Sequence, residues 1–339
     1  MILQIENLRV EFPTRRGTLV AVDDVSLAIA PGEVLGMVGE SGAGKTLTGL
    51  AVIGLIEPPG RIAAGEVRLE GRRIDNLPHE EMRRLRGRRI GVVFQDPLTS
   101  LNPLYTIGAQ LEETIVTHLP LSGAEARARA LGLLREVGIP APELRFDHYP
   151  HQFSGGMRQR VVIALALAAE PSLLIADEPT TALDVSIQAQ IIALLKRLAR
   201  ERGTAVLLIT HDMGVIAETA QRVAVMYAGR IAEIGPVRDV IHSPRHPYTW
   251  GLLQSIPSAG AEHTGDQLRP IKGMPPSLIN LPTGCSFHPR CPYVMDVCKK
   301  EEPHLLPAAV AGNGAHLSAC HLSLEEKQRI WQQEVAPTR

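Results

Sequence analysis

The sequence predicts an α/β fold. Its parts are a phosphate-loop core on a parallel sheet, an antiparallel β subdomain, an inserted helical subdomain and a small loop-rich C-terminal domain. Three observations carry this. Gly39–Thr46, reading GESGAGKT, fits G-x-x-x-x-G-K-[ST] at every defined position, with an apolar run (Gly32–Val38) before it and a helical segment (Lys45 to Ile56) after it. Further apolar runs end at Gln95, at Asp177-Glu178 and at His211, as strands of a parallel sheet do when their carboxyl ends face a ligand. The C-terminal stretch is rich in proline (Pro270, Pro275, Pro276, Pro282, Pro289, Pro292), holds all the cysteines and has few long periodic runs.

Composition sets the outer bounds. The chain has 339 residues, with Lys+Arg 35 against Asp+Glu 36 and a formal net charge of −1. That length suits one large α/β domain and something smaller. Near-neutral charge argues against a dedicated nucleic-acid binder. No apolar run approaches the ~20 residues that span a bilayer, and no signal peptide opens the chain. The expectation is a soluble, cytosolic protein that reaches a membrane only through partners.

Taken in order, Ile2–Ile5, Leu8–Phe12, Leu19–Val22 and Val25–Leu27 are short apolar segments interrupted at Pro13–Gly17, which predicts an antiparallel β region. Gly65–Gly71 alternates well enough to belong to it. Phe12 is either a core strand aromatic or a ring that stacks on adenine. In the phosphate loop Gly39, Gly42 and Gly44 let backbone N–H groups curl around phosphate oxygens, with Glu40, Ser41 and Ala43 completing the turn. Lys45 reaches the β- and γ-phosphates, and the Thr46 hydroxyl holds Mg²⁺.

Ile90–Phe94 predicts a buried strand ending at Gln95, while Asp96–Pro103 is too rich in Pro, Asn and Ser to be regular. Ser122–Glu125 is a capping-box pattern for a helix running to about Gly138, with Leu131, Leu134 and Val137 as its stripe. Next comes Phe153-Ser154-Gly155-Gly156-Met157-Arg158-Gln159, where two glycines open a helix. Its approachable N–H groups suit an anion, although Ser-Gly-Gly alone is more often a plain cap. Ser172–Ala176 then predicts a strand closed by two acids. Asp177 suits Mg²⁺, held directly or through water, and Glu178 suits polarising an attacking water. Ala182–Asp184 leads into a helix over Val185–Arg202, with Ile187, Ile191, Leu194, Leu195 and Leu198 on one face and Gly203 as its stop. Thr204–Thr210 is a buried strand ending at His211. A lone histidine is usually structural, but this one shares its strand-end position with Gln95, Asp177 and the phosphate loop.

Together these residues resemble the ATP-binding subunit of an ABC transporter. Walker A lies at Gly39–Thr46, the Q-loop at Gln95 and the signature at Ser154–Gln159. Walker B lies at Leu173–Asp177, followed by Glu178, the D-loop at Ala182–Asp184 and the switch histidine at His211. The resemblance covers about residues 1–255 and implies a P-loop NTPase core of the ABC type, with a helical subdomain at about 97–165. The signature departs from L-S-G-G-Q in having Phe153 first and Met157 fifth, so no amide is available there for a ribose contact. The runs Phe94–Pro103 and FSGGMRQR are similar to oligopeptide/dipeptide importer ATPases. So are His246–Thr249, Ser255–Pro257, Gly284-Cys285 and Phe287–Pro292, within a C-terminal domain of 256–339.

The resemblance implies ATP and Mg²⁺ as cofactors, with Thr46, Gln95 and Asp177 around the metal, Glu178 as base and His211 on the γ-phosphate. It implies a head-to-tail sandwich with a second, homologous ATPase subunit, giving a heterodimer. Ser154, Gly155 and Gly156 of this chain would face the partner's nucleotide. Two integral membrane permease subunits and an extracytoplasmic substrate-binding protein complete the assembly, without nucleic acid, on the cytoplasmic face of the inner membrane. The cargo is di- or oligopeptide, with nickel or another small solute as the alternative. A soluble ABC ATPase unconnected with transport is the rival of a different class; such proteins generally carry long coiled-coil insertions or two ATPase units in one chain, which this one lacks.

Cys285, Cys291, Cys298 and Cys320 are separated by five, six and twenty-one residues and lack the C-x₂-C knuckle of ordinary zinc sites. Four thiolates suit a [4Fe–4S] cluster, which the family resemblance also implies; structural zinc or free thiols are the alternatives. His288, His304, His316 and His321 are potential ligands, with surface positions the simpler expectation.

Overall fold

The computed structural model describes residues 1–181, 183–255, 270–308 and 316–336. Ala182 of the D-loop, and Ile256 and Pro257 of the tail motif, lie outside the described residues. The N-terminal segments join into two long strands, β1 (Leu3–Thr14) and β2 (Gly17–Ile29), paired antiparallel around a turn in which Thr14 Oγ1 donates to the Gly17 carbonyl at 2.6 Å. With β4 (Arg61–Leu69) and β5 (Arg72–Arg73) they form an antiparallel sheet of order β2-β1-β4-β5.

The larger sheet has the order β11-β12-β10-β9-β3-β8-β7-β6. Its parallel part comprises β6 (Ile90–Val93), β7 (Leu173–Asp177), β8 (Ala205–Ile209), β3 (Val34–Val38) and β9 (Arg222–Tyr227). Every residue of β3, β7 and β8 is buried, which is why these strands are unbroken apolar runs in the sequence. Alternate residues serve two cores. Val34, Val38, Leu174, Ala176, Val206 and Leu208 face one that includes the helical subdomain; Leu35, Met37, Leu173, Ile175, Leu207 and Ile209 face the antiparallel sheet.

β10 (Arg230–Pro236) turns back antiparallel on β9, and two short strands from the C-terminal region, β12 (Leu317–Ser318) and β11 (Leu306–Pro307), continue the same sheet. Phe287, Leu322, Trp331 and Val335 are buried in the first core.

Helix α1 (Lys45–Val52) follows the phosphate loop and stops at Ile53, short of the expected Ile56, where Gly54 takes φ 61°. After α2 (His79–Leu85) comes the helical subdomain, with α3 (Pro97–Ser100), α4 (Ile107–His118), α5 (Gly123–Glu136), α6 (Pro142–Arg145) and α7 (Gly155–Ala166). α3 occupies a segment expected to be irregular. The Asp96 carboxylate caps it by accepting from Leu98 N at 2.8 Å, and Pro97 fills a first-turn position that needs no N–H. α5 opens on the expected Ser122/Glu125 capping box. α8 (Val185–Arg202) buries Ile191, Leu194, Leu195 and Leu198 and ends at Gly203, left-handed at φ 68°. The remaining helices are α9 (Met213–Thr219), α10 (Val237–His242), α11 (Pro247–Gln254) and α12 (Leu324–Ile330).

Candidate nucleotide site

The phosphate loop spans the gap from β3 to α1. At Gly44, with φ 101°, an added Cβ would lie 2.6 Å from the Ala21 carbonyl oxygen, so only glycine fits. Lys45 is 6% exposed, and its ammonium donates to the carbonyls of Gly39 (2.8 Å) and Glu40 (3.0 Å). Burial lowers its pKa, while the carboxylates of Glu178, Asp177 and Glu40 pull the other way. The lysine thus waits inside the loop on backbone oxygens, a hydrogen-bonding role that phosphate oxygens can take over.

Thr46 Oγ1 donates to Asp177 Oδ1 at 3.2 Å, across 131 residues. Burial raises the Asp177 pKa, with the Thr46 hydrogen bond opposing it. A hydroxyl and a carboxylate side by side form a hard oxygen pair of the kind Mg²⁺ takes.

Glu178 is the hub. Its Oε2 accepts from Gln95 Nε2 (3.1 Å) and Thr181 Oγ1 (2.9 Å), and its Oε1 lies 3.2 Å from His211 Nδ1. Its N–H donates to the Ile209 carbonyl at 2.8 Å, holding the backbone at φ 47°, a left-handed conformation that is strained for a glutamate. Burial raises the carboxyl pKa, but hydrogen bonds from Thr181 and His211 and the charges of His211 and Lys45 outweigh it, leaving the pKa below its ordinary value. Gln95, expected around the metal with Thr46 and Asp177, donates to Glu178. Thr181 was not anticipated, although its place three residues after an acid at a strand end is the spacing of a local hydroxyl–carboxylate contact.

Ser154, Gly155 and Gly156 open α7 on the separate subdomain. Ser154 Oγ accepts from Met157 N (3.3 Å), and Ser154 and Gly155 are exposed. Met157, in place of the usual glutamine, is partly buried against the core, its sulfur 3.4 Å from Arg145 Nη1. Phe12 pairs with Leu19 across the β1–β2 hairpin and sets its ring edge against Gly60, half-buried.

Two residues far along the chain also grip the loop. The Tyr248 hydroxyl accepts from Glu40 N (2.9 Å), and Arg290 makes a forked pair with the Glu40 carboxylate.

The four cysteines are free thiols lining one tight cavity of about 10 Å³, together with His246, His288 and His321. Burial pushes the Cys285 thiol up, Cys291 to about 12 and Cys320 to about 11. Among the described residues, no three His, Cys, Asp or Glu side chains are arranged to hold a metal ion. The expectation of a formed metal centre is corrected to that extent, and structural zinc, which needs four ligands drawn tightly around one ion, is not matched. His316 also departs from its expected surface position: it is buried, with Nε2 2.7 Å from Glu233 Oε1.

The loop and its acids stand at the strand ends of one sheet, while a glycine-opened helix faces solvent on an inserted subdomain. That division is the architecture of an ATP-binding cassette. Residues 22–181 match the ABC transporter family, and residues 232–298 match the oligopeptide/dipeptide transporter C-terminal region. The oligopeptide transport ATP-binding protein OppD of Salmonella typhimurium is 48% identical over 326 residues (96% of this chain, 95% of that one). The dipeptide transport ATP-binding protein DppD of Escherichia coli is 45% identical over 328 residues (97% and 98%). A dimeric post-hydrolysis structure of an ATP-binding cassette bound to ADP and Pi superposes with a TM-score of 0.63 at 32% identity, covering 70% of this chain and 99% of that one. The chain belongs to the ABC transporter ATP-binding family, in the branch that carries the oligopeptide/dipeptide C-terminal region.

Proposed function

We propose that this chain is the ATP-hydrolysing subunit of a membrane importer for di- or oligopeptides. The observation that carries hydrolysis is the ionised Glu178, oriented by Gln95, Thr181 and His211 beside the Thr46–Asp177 pair. Peptide as cargo is supported by the relatives and the matched C-terminal region.

In this reading the loop Gly39–Thr46 binds the triphosphate through its N–H groups, and Lys45 moves from the loop carbonyls to the β- and γ-phosphates. Thr46 and Asp177 would hold Mg²⁺, which would supply charge neutralisation at the phosphates. Glu178 accepts a proton from the attacking water, and His211 contacts the γ-phosphate. Phe12 supports the adenine. Ser154, Gly155 and Gly156 serve the nucleotide of a second, homologous ATPase subunit. Residues 1–255 form the ATP-binding unit, with the helical subdomain at about 97–165, and 256–339 the C-terminal unit.

Coupling runs through Gln95, where β6 gives way to the helical subdomain. Phe94, Leu55, Thr99 and Val162 line a groove of about 500 Å³ there, and Leu98 is 62% exposed. The groove suits a cytoplasmic helix of two integral permease subunits, which in turn meet an extracytoplasmic substrate-binding protein. No helix among the described residues is long and apolar enough to cross a membrane; in this reading the subunit works peripherally on the cytoplasmic face of the inner membrane, bound to the permease.

The four thiols are assigned to a [4Fe–4S] cluster. In support, all four thiols are free and line one cavity. Iron and acid-labile sulfide in anaerobically purified protein, lost on Cys291→Ser, are the expected result; iron-free, colourless protein overturns the assignment.

For hydrolysis the test is Glu178→Gln. It should keep Mg-ATP binding while turnover and peptide uptake fall by about a hundredfold or more. A variant that hydrolyses at the parent rate removes Glu178 from the role of base.

A further inference from the structure

Glu40, the second residue of the phosphate loop, is fixed at all three of its polar groups. Its N–H donates to the Tyr248 hydroxyl (2.9 Å), and its carbonyl accepts from Lys45 Nζ (3.0 Å). Its carboxylate receives both arms of Arg290, Nη1 on Oε2 at 2.6 Å and Nη2 on Oε1 at 2.9 Å. The Arg290 side chain is only 5% exposed. Its own placement is over-determined: Nε donates to the Lys272 carbonyl (3.1 Å), Nη2 to the Gly273 carbonyl (3.2 Å), and the guanidinium lies 5.8 Å from the Tyr227 ring centroid. A forked pair of this kind sets orientation as well as distance, which a point charge cannot do.

This grip matters because of what Glu40 does inside the loop. Its carbonyl is one of two that hold the Lys45 ammonium. When Lys45 leaves for phosphate, that carbonyl keeps only the Ala43 N–H (3.2 Å) and the loop loses an internal tie. Besides that local turn bond, the constraints on Glu40 are the two that come from outside the loop, Tyr248 and Arg290.

We propose that Arg290 is a positioning residue for nucleotide binding, clamping the phosphate loop through Glu40 so that its N–H groups keep their phosphate-ready arrangement. The proposal rests on the loop being the ATP site. It also gives the C-terminal region a mechanical route to that site. Arg290 closes the 3₁₀ turn His288–Arg290, which lies between Cys285 and Cys291. The turn is pinned at the cysteine cavity, where His288 N donates to the Cys285 carbonyl at 2.9 Å. On the loop side it is pinned by Phe287, whose ring centroid sits 5.1 Å from that of Tyr227 and 5.4 Å from that of Tyr248. Order at the cysteine cavity is thereby felt at Glu40.

The test uses the full chain and four variants: Arg290→Lys, Arg290→Gln, Glu40→Gln and the double Arg290→Gln/Glu40→Gln. Mg-ATP binding is measured by calorimetry, alongside steady-state hydrolysis and melting temperature. Arg290→Gln and Glu40→Gln should each raise the Kd for Mg-ATP roughly tenfold, the scale of one lost charged hydrogen-bonded pair. Arg290→Lys should fall between them and the parent, and the double variant should be no weaker than either single. KM should rise by a larger factor than kcat falls. Glu40→Gln removes the pair from the loop side, so it carries the test if Arg290→Gln folds poorly. Parent-like Kd and KM with a lowered melting temperature would mark a pair that only stabilises the fold and would overturn the proposal. Losses that multiply in the double variant would overturn it too. Failure of the parent chain itself to bind Mg-ATP would instead sink the assignment of the loop as the ATP site.

Discussion

His246 shows how burial decides a single residue's chemistry. It is 3% exposed, and its Nδ1 accepts from Tyr248 N at 3.0 Å, capping α11. Burial, with the charge of Lys327 adding to it, pushes its pKa down from 6.5 to about 3. The imidazole is therefore neutral in the folded chain and keeps the lone pair that the cap needs. The linkage sign follows directly. Between about pH 6.5 and 3 the unfolded chain binds a proton here that the folded chain refuses, so this group's contribution is complete above the unfolded value and is lost as pH falls. Going from pH 7 to pH 5 should remove about 2 kcal/mol of unfolding free energy through this one imidazole. His246→Asn keeps a side-chain acceptor for the cap but does not titrate. The gap in unfolding free energy between parent and variant should therefore shift by that amount between the two pH values. A gap that stays constant would mean that His246 titrates alike in both states.

The elements divide by how local their causes are. β3, β7 and β8 were legible because burial on both faces leaves an unbroken apolar run, and α5 because its capping box is a four-residue pattern. The polar ends of those strands were legible as a site because parallel strands point the same way. Among what escaped were elements too short and contacts too distant to read. α3 has four residues and depends on Asp96 acting as a cap within a stretch rich in turn formers. β11 and β12 have two residues each; β12 exists by pairing onto β10, Glu233 opposite Ser318 and Ile234 opposite Leu317, and β11 by pairing onto β12. Their cost is a buried carboxylate: Glu233 is fully buried and is answered by Arg245 N at 2.6 Å and by His316. Tyr248 and Arg290 meet Glu40 across 208 and 250 residues, and no local pattern encodes such a contact. Glu178 was recognised as an acid at a strand end, but Gln95 and His211 follow other strands and only folding brings them to it, beside the local partner Thr181.

For the molecule as a whole, the separation of the two halves of the chemistry is the consequential fact. One chain presents a phosphate loop and an ionised Glu178 on the sheet, and an exposed Ser154–Gly155 helix start on a different subdomain. Phosphoryl transfer is governed by positioning and by charge stabilisation around the γ-phosphate, so a half-site should turn over slowly until a second subunit supplies the missing donors. The formal net charge of −1 offers no strong self-repulsion against such pairing. Pairing should then require nucleotide, because in the proposed reading the bare N–H groups of α7 bind its phosphate. In the Glu178→Gln background, where ATP persists, Mg-ATP should drive the chain into a stable complex with its companion ATPase subunit, measured by size exclusion with light scattering. Adding Gly155→Glu sets a carboxylate where the γ-phosphate has to arrive. The fold should tolerate it, since a Cβ at Gly155 meets nothing closer than Leu183 Cδ2 at 3.9 Å. The variant should still bind Mg-ATP, yet its complex with the companion should weaken by tenfold or more, roughly the cost of one repulsive charge at a closed interface. If the complex forms with undiminished affinity, the Ser154–Gly156 helix start is not the second half of the site.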